Sequence, residues 1–511
     1  MTYTLTFVDV SAIQAYVFGS NRLTHQLGAS YLVEQALHGW IADALTQTNQ
    51  GEIDKGADCE IVYRGGGNAC ILFKSRDGAK AFATQYTRGL LTQAPGLTVV
   101  IAHQDFDWNT SLAVAYNAAM TRLAKKKAAE MPAMETLGLG VTAACAYTGL
   151  PVVGKEDDRY VSEEIRAKQN SSEVGRSRLL NEFKSARGDY DFVTDFNLFG
   201  EQGTAYMAVV HADGNGMGRR KKALVERFAR PDQNRGLIQA LQQFSAELNR
   251  AGSSALNKTI EALKDWLAKP ALPDERSRHT YIRHDQNDAS ALLLPIVPII
   301  FGGDDVTFVC DGRLGLSLAT QYLRAFDAET VGGPPLHACA GIAIVGSRFP
   351  FARAYEMAEA LCRSAKRYAK KEGADRTALD WHIAVNGAVR SIEDIRQREY
   401  TADAGTLTLR PLMLGDDAKA ADKLRTWSNF TEVATALRTS RDWAESRNKL
   451  KTLRDPLRQG PQATQLFLQS IRKTLPPLAG YPDAQRTGWA GPACAYFDAI
   501  EALDRFVDME E

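Results

Sequence analysis

The sequence predicts an α+β fold made of two ferredoxin-like units in tandem, followed by an α-helical C-terminal domain. Two observations carry this. The order strand, helix, glycine-turned hairpin, helix, strand occurs twice along the 511 residues, and that is the order of a ferredoxin-like unit. In both copies the turn of the hairpin falls at the same place, as Gly65-Gly66-Gly67-Asn68 and as Gly302-Gly303-Asp304-Asp305. A shared order with a shared turn marks a strongly diverged internal duplication.

Residues 3–10 alternate as a short strand that ends at Asp9. Ser11 to Val33 then carries apolar residues at helical spacings, including Ile13, Val17 and Leu27. Two apolar runs, 60–63 and 69–73, flank the three glycines, a strong hairpin signal. A helix over about 78–92 and a strand over 97–102 complete the first unit. Residues 145–200 are polar and read as an irregular connector. The second unit opens with an apolar strand, Tyr206 to His211, that leads into Asp213. Helices are predicted at 235–250 and 255–268; Leu256, Ile260, Leu263 and Leu267 share one face of the latter. Residues 270–290 read as an insertion loop. Pro295 to Phe301 and Val306 to Cys310 form the second hairpin, followed by a helix (314–328), a strand (336–345), a long helix (350–371) and a strand (378–385). Residues 415–511 read as helical throughout. The expected boundaries are 1–140 for the first unit, 141–203 for the connector, 204–400 for the second unit and 401–511 for the C-terminal domain.

Composition narrows the class. A chain of this length is expected to divide into two to four domains. Hydrophobic residues make up 45% and charged residues 24%, ordinary for a soluble globular protein. With 61 basic and 61 acidic residues, net charge gives no global case for nucleic-acid binding. The N-terminal stretch has neither a basic n-region nor a long apolar run, so no signal peptide and no membrane span is expected. The cysteines, 7 in number and without a Cys-x-x-Cys, fit a reduced, cytoplasmic protein without a cysteine zinc site.

The chemistry concentrates at the second turn. Gly302 and Gly303 let the backbone turn tightly and approach a ligand, and Asp304 and Asp305 then stand at the tip between apolar strands. A third carboxylate, Asp213, ends another apolar strand in Asp213-Gly214-Asn215-Gly216-Met217-Gly218. In a palm sheet, the ferredoxin-like form used by nucleotidyl cyclases, these strands are neighbours and the three acids converge. Such a cluster is costly unless cations neutralise it, and hard oxygen ligands favour Mg²⁺ or Mn²⁺. Two ions held by Asp213, Asp304 and Asp305 would activate a hydroxyl and stabilise a pyrophosphate leaving group. The run Gly214 to Gly218 offers backbone N–H groups to a triphosphate. Either motif alone fits a plain turn; their joint occurrence in this order favours the nucleotide site. Lys366 is a candidate for the β- and γ-phosphates, and it also fits a solvated helix face beside Lys370 and Lys371. His284-Asp285 lacks the upstream ligands of a phosphohydrolase and reads as loop. Arg219 to Lys222 fits either phosphate or RNA contact or a solvated helix face. In the tail, Leu450, Leu453 and Leu457 read as a core stripe opposite Arg447, Lys449, Lys451, Arg454 and Arg458.

These motifs together resemble the large, polymerase-like cyclase subunit of type III CRISPR effector complexes, which makes cyclic oligoadenylates. Asp9 to Phe18 with Leu27-Gly28-Ala29-Ser30 resembles its opening segment, and Arg64-Gly65-Gly66-Gly67-Asn68 its first-palm turn. Asp213 to Gly218 and Gly302 to Asp305 resemble its active second palm. The helical tail resembles its C-terminal domain more loosely. The resemblance implies ATP as substrate and, as partners, guide RNA, target RNA and effector subunits. It implies that the first palm binds a nucleotide at Gly65, Gly66, Gly67 and Asn68 without metal catalysis. Family members often begin with an HD nuclease domain that this sequence lacks, so single-stranded DNA cleavage is not expected. The family's zinc segment is reduced to Cys145-Ala146-Tyr147-Thr148-Gly149, and Asn215 stands where a second acid is common. A divergent or stand-alone member is therefore expected. Two rival readings stay open: a non-catalytic RNA-binding scaffold subunit, against which both acids at 304–305 argue, and a diguanylate-cyclase-like enzyme, against which Asp305 and the double palm argue.

Overall fold

Alternating threonine and large apolar residues make Thr2–Ser11 (β1) a strand. Leu5 and Phe7 face one core, and Val8 and Val10 face another. The computed structural model describes residues 2–129, 142–156, 158–199, 205–269, 278–284, 291–371, 376–384, 390–415 and 424–510. After β1 come Ile13–Phe18 (α1), Leu23–Leu37 (α2), Cys59–Gly65 (β2), Asn68–Phe73 (β3), Arg76–Gln93 (α3), Thr98–Asp107 (β4) and Leu112–Ala129 (α4). The sheet order is β2-β3-β1-β4, with every pair antiparallel. That is the ferredoxin-like order the sequence predicts.

The stretch read as an irregular connector is structured. It contains Glu163–Asn170 (α5) and Ser172–Glu182 (α6), which pack on α2 at very short range. A Cβ on Gly28 would come 1.8 Å from the Lys168 carbonyl oxygen, and one on Gly175 would come 2.6 Å from that of Leu27. Glycines and a buried lysine make this contact, so it has little apolar signature in the sequence.

The second unit repeats the first. Tyr206–Gly214 (β5), Met217–Arg227 (α7), Asn234–Ala268 (α8), Ile296–Gly302 (β6), Asp305–Asp311 (β7), Gly315–Asp327 (α9) and Ala338–Gly346 (β8) give the order β6-β7-β5-β8. Phe351–Lys371 (α10) then carries the chain to Ala378–Ile383 (β9), parallel to β8, and Leu412–Met413 (β10) closes that edge. The repetition reaches the hairpin irregularities: a register shift falls between Ile61 and Tyr63 in one and between Pro298 and Ile300 in the other.

Helix α8 corrects the sequence reading, which broke it into two. It is a single helix of 35 residues, about 50 Å long at 1.5 Å per residue. Leu237, Ile238 and Leu241 pack in the core beneath the first sheet, whereas Ala255, Leu256, Ile260 and Leu263 join the larger core that includes the second. Gly252 falls in the gap between the two predicted helices and is a packing residue: a Cβ there would come 2.1 Å from the Gly303 carbonyl oxygen. Gln242, Ser245 and Asn249, on one face of α8, donate to the carbonyls of Ile61 and Arg64 on β2. One helix thus ties both glycine turns together.

The C-terminal region holds helices Trp427–Thr439, Arg447–Gln459 and Pro461–Ser470, with Leu450, Leu453 and Leu457 buried as expected. It is not helical throughout: Thr401–Ala402, Gly405–Thr406, Ala493–Cys494 and Trp489–Ala490 form a small sheet. Buried Arg410 joins the region to the second unit, donating to the Trp381 carbonyl at 2.8 Å and pairing with Asp498 and Glu501 at 3.1 Å each. Among the described residues no helix is long and apolar enough to cross a membrane.

Candidate functional site

The β5–β7 ladder sets Asp213 directly opposite Asp305, and Gly302 pairs with Asp305 across the turn. Gly302 and Gly303 have φ of 136° and 73°, the left-handed region where glycine is at ease. The turn is pinned to β5 by the Gly214 N–H, which donates to the Asp304 carbonyl at 3.0 Å. Asp213, Asp304 and Asp305 therefore converge as expected.

Their electrostatics are unfavourable as they stand. Burial, then the nearby Asp213 charge, pushes the Asp304 carboxyl up to about 6 and that of Asp305 up to about 7. Like charges at ~4 Å repel by about 4 kcal/mol at a near-surface dielectric. Asp305 Oδ1 is buried and accepts no hydrogen bond. His211 Nδ1 lies 3.4 Å from it, but burial holds that imidazole down at about 4, so it brings no charge. A hydrogen bond from Gln14, on α1 of the first unit, favours the ionised form of Asp305. An oxygen-only donor set with an unsatisfied buried acceptor suits a hard divalent cation. Among the described residues no three acids, histidines or cysteines stand as a finished metal cage.

Lys366 lies inside the site and not on a solvated face. Its Nζ is 2.5 Å from Asp213 Oδ2 and donates to the Gly214 carbonyl at 3.0 Å. Burial alone would lower its ammonium, but Asp213 holds it above its ordinary value. Asn215 turns inward: its amide nitrogen donates to the Arg376 carbonyl at 2.7 Å and its N–H to that of His337 at 2.7 Å. It locks the start of β9 beneath the glycine-rich loop. Gly216 is left-handed, with φ of 72°, and starts α7 at Met217.

The first unit carries a partial copy of this arrangement. Asp9 faces Asn68 across the ladder as Asp213 faces Asp305. Val10 N–H donates to the Gly67 carbonyl at 2.8 Å, as Gly214 does to that of Asp304. Lys127 Nζ lies 2.7 Å from Asp9 Oδ2. Gly67 and Asn68 thus occupy the positions of the two turn acids. Asp9 and Lys127 were legible as counterparts of Asp213 and Lys366 had the halves been aligned strand by strand.

Two cavities meet these turns. The larger, of about 520 Å³, lies between Asp9, the Gly65–Gly67 turn and the Gly302–Asp305 turn. The smaller, of about 220 Å³, lies on the other side, walled by Tyr63, Asn68, Gly218, Lys221 and Asp304. Lys221 places its ammonium 3.5 Å from the centre of the Tyr63 ring, where burial pushes it down to about 8 against the pull of Cys70 and Asp304. The other residues of that basic run behave differently: Arg220 donates to the carbonyls of Pro334 and Pro335, and Lys222 pairs with Glu226. Asn249 of α8 lines both cavities. Asn249 and Gln14 gave no sequence signal, and Lys221 none that set it apart from its basic neighbours, because each reaches the site across the junction of the units. His284 lies in a two-residue strand away from both turns, and Asp285 lies outside the described residues.

Residues 206–375 match the family model described as the second palm domain of Cas10/Cmr2. Several solved structures share the fold over nearly the whole chain. The Csm1–Csm4 cassette in complex with pppApApA superposes with a TM-score of 0.56 at 14% identity, covering 98% of this chain and 69% of the other. The same cassette in complex with one ATP gives 0.53 at 15%, covering 99% and 70%. Csm1 in T. onnurineus gives 0.53 at 17%, covering 98% and 69%. No curated protein matches by sequence.

Proposed function

We propose that this chain, whose residues 206–375 are a second palm domain of the Cas10/Cmr2 large-subunit family, joins ATP molecules into a cyclic oligonucleotide signal of antiviral defence. The observation that carries the reading is the convergence of Asp213, Asp304 and Asp305, the last two lining a cleft that both palms share. The nucleotide complexes of the Csm1–Csm4 cassette, which shares this fold, support it.

A donor ATP lies against the second palm, its phosphates over Gly216 to Gly218 and near Lys366; the N–H groups of Gly214 and Asn215 are already spent on the Asp304 and His337 carbonyls. An acceptor lies across the cleft on the first palm. The acceptor 3′-hydroxyl oxygen bonds to the donor α-phosphorus, the α–β anhydride bond breaks, pyrophosphate leaves and the hydroxyl proton passes to solvent. Two Mg²⁺ or Mn²⁺ ions at Asp213, Asp304 and Asp305 would supply charge neutralisation and a more acidic hydroxyl. The chain's own part is orientation. The two glycine turns, held together by α8, set both nucleotides in one line, and Lys366 places a positive charge beside Asp213. Asn215 keeps the loop in register with β9. Effector subunits and guide RNA are the partners that fit this family.

The direct test is mass spectrometry of products after incubation with each nucleoside triphosphate and Mn²⁺ or Mg²⁺, with and without target RNA. A cyclic or linear 3′-linked oligoadenylate is expected. A purified, folded chain that binds ATP but releases no pyrophosphate under any of these conditions would favour the scaffold role.

A further inference from the structure

The larger cleft is lined not only by the acids but by Phe301, the residue before Gly302, by α2, and by Arg178 and Glu182 of the segment between the palms. Arg178 of α6 stands there with its guanidinium carbon 4.8 Å from the centre of the Phe301 ring. Phe183 braces that ring edge-on at 5.2 Å. Glu34 of α2 lies 3.9 Å from Arg178, and Glu182, one helical turn beyond Arg178, lines the same cleft. The backbone under Arg178 is firmly placed by the Gly28 and Gly175 contacts with α2. Buried Lys168 adds to this, donating to the Tyr16 carbonyl at 2.6 Å and pairing with Glu164 at 2.5 Å.

We propose that Phe301 and Arg178 form the platform on which the base of a nucleotide in this cleft stacks, and that Glu34 and Glu182 accept from its exocyclic amine. The proposal rests on the nucleotide reading of the cleft. Bases stack on aromatic rings and on guanidinium planes, at about 1–3 kcal/mol per base. The platform sits immediately before the turn that carries Asp304 and Asp305, and Arg178, Phe301 and both acids line one cavity. Ionised carboxylates only accept. They suit the 6-amine of adenine and oppose the 6-carbonyl of hypoxanthine, whose lone pairs would face theirs. The segment between the palms, through Arg178 and Glu182, therefore shares in setting base selectivity.

The test is calorimetric titration of the full chain with a non-hydrolysable ATP analogue, alongside competition by ITP. Arg178→Ala is expected to weaken the analogue about tenfold, which corresponds to about 1.4 kcal/mol. Arg178→Lys, which keeps the charge but loses the plane, should remain weak. Glu34→Gln with Glu182→Gln should bind the analogue but lose most of the preference over ITP. Unchanged melting temperatures separate these effects from misfolding. If all variants bind as wild type with the same preference, the platform is wrong. A wild type that binds the analogue through Arg178 yet releases no pyrophosphate supports the platform and removes the synthetic activity. A wild type that binds no nucleotide overturns both.

Discussion

Lys127 holds Asp9 at 2.7 Å in the first palm as Lys366 holds Asp213 at 2.5 Å in the second. The correspondence is positional. Asp9 pairs with Val100 on β4 and Asp213 with Cys339 on β8, and each lysine follows its strand partner at the same chain separation, on the helix after that strand. The duplicated unit thus carried an acid, a lysine and a glycine turn. The first palm has kept acid and lysine but has Gly67 and Asn68 in place of the turn acids.

Lys366→Ala should lower pyrophosphate release by about 10²-fold, the scale for losing one preorganised charge at a phosphoryl-transfer site. Lys127→Ala should act mainly on the acceptor, raising the ATP concentration needed for half-maximal rate. Steady-state kinetics separate the two, and identical effects of both variants would refute the division of roles.

Asp304→Asn with Asp305→Asn should abolish product formation. It should also raise the melting temperature in the absence of divalent ions, because the amides keep the shape and remove the buried repulsion. The parent carboxyls are raised to about 6 and about 7 in the folded chain, against an ordinary value of about 3.9. Their stabilising contribution without metal is therefore complete below pH of about 4 and lost as pH rises through 6–7. Thermal melts in EDTA across that range, parent against variant, check this. A double variant that melts below the parent at pH of about 8 would contradict the assigned repulsion.

The same groups set the metal dependence. A divalent ion must displace the protons, so Mn²⁺ affinity should fall as pH drops from about 7.5 to about 5.5, with proton release on binding. Calorimetry in buffers of different ionisation enthalpy measures that release. Affinity independent of pH would place the ion away from Asp304 and Asp305.

Gly252 offers a structural test. Any side chain there meets the Gly303 carbonyl, so Gly252→Ala should push α8 off the turn, at a cost of about 1–3 kcal/mol. Activity should fall further than stability implies, because the displaced atoms carry Asp304. Retained activity at permissive temperature would show that the turn tolerates the shift.

Both palms and the three acids were legible because strand order, glycine turns and strand-end acids are local signals. What escaped the sequence is made by long-range contact. Gly252 falls in the gap where the sequence reading divided α8, but its bare Cα faces Gly303. The segment holding Lys168, Gly175 and Arg178 reads as polar connector because its packing uses glycine backbone and a buried ammonium in place of an apolar stripe. Lys221 sits in a run of four basic residues, and only the fold turns that one onto Tyr63. Asn215 reads as part of the run that offers backbone N–H groups to a triphosphate, whereas its N–H is spent on the His337 carbonyl and its side-chain amide on that of Arg376.

The last prediction concerns how many nucleotides one chain holds. The first palm offers Gly67 and Asn68 where the second offers acids, and its one remaining acid, Asp9, is already paired with Lys127. Without turn carboxylates it lacks the ligands for two divalent ions. Its turn nonetheless lines the larger cleft beside the second palm's turn. Two nucleotides per chain are therefore expected, only one of them dependent on metal. Gly66 has φ of 60° and open space around its Cα, so Gly66→Val meets no neighbour and acts through the backbone. A β-branched residue resists that left-handed conformation, and the turn should leave its place beside Gly303. Product formation should fall while metal-dependent ATP binding at Asp213 and Asp304 survives. Titration with a non-hydrolysable ATP analogue, with and without Mg²⁺, counts the sites directly. One site in the parent, or full activity in Gly66→Val, would make the first palm structural only, and the acceptor would then have to be presented by another subunit.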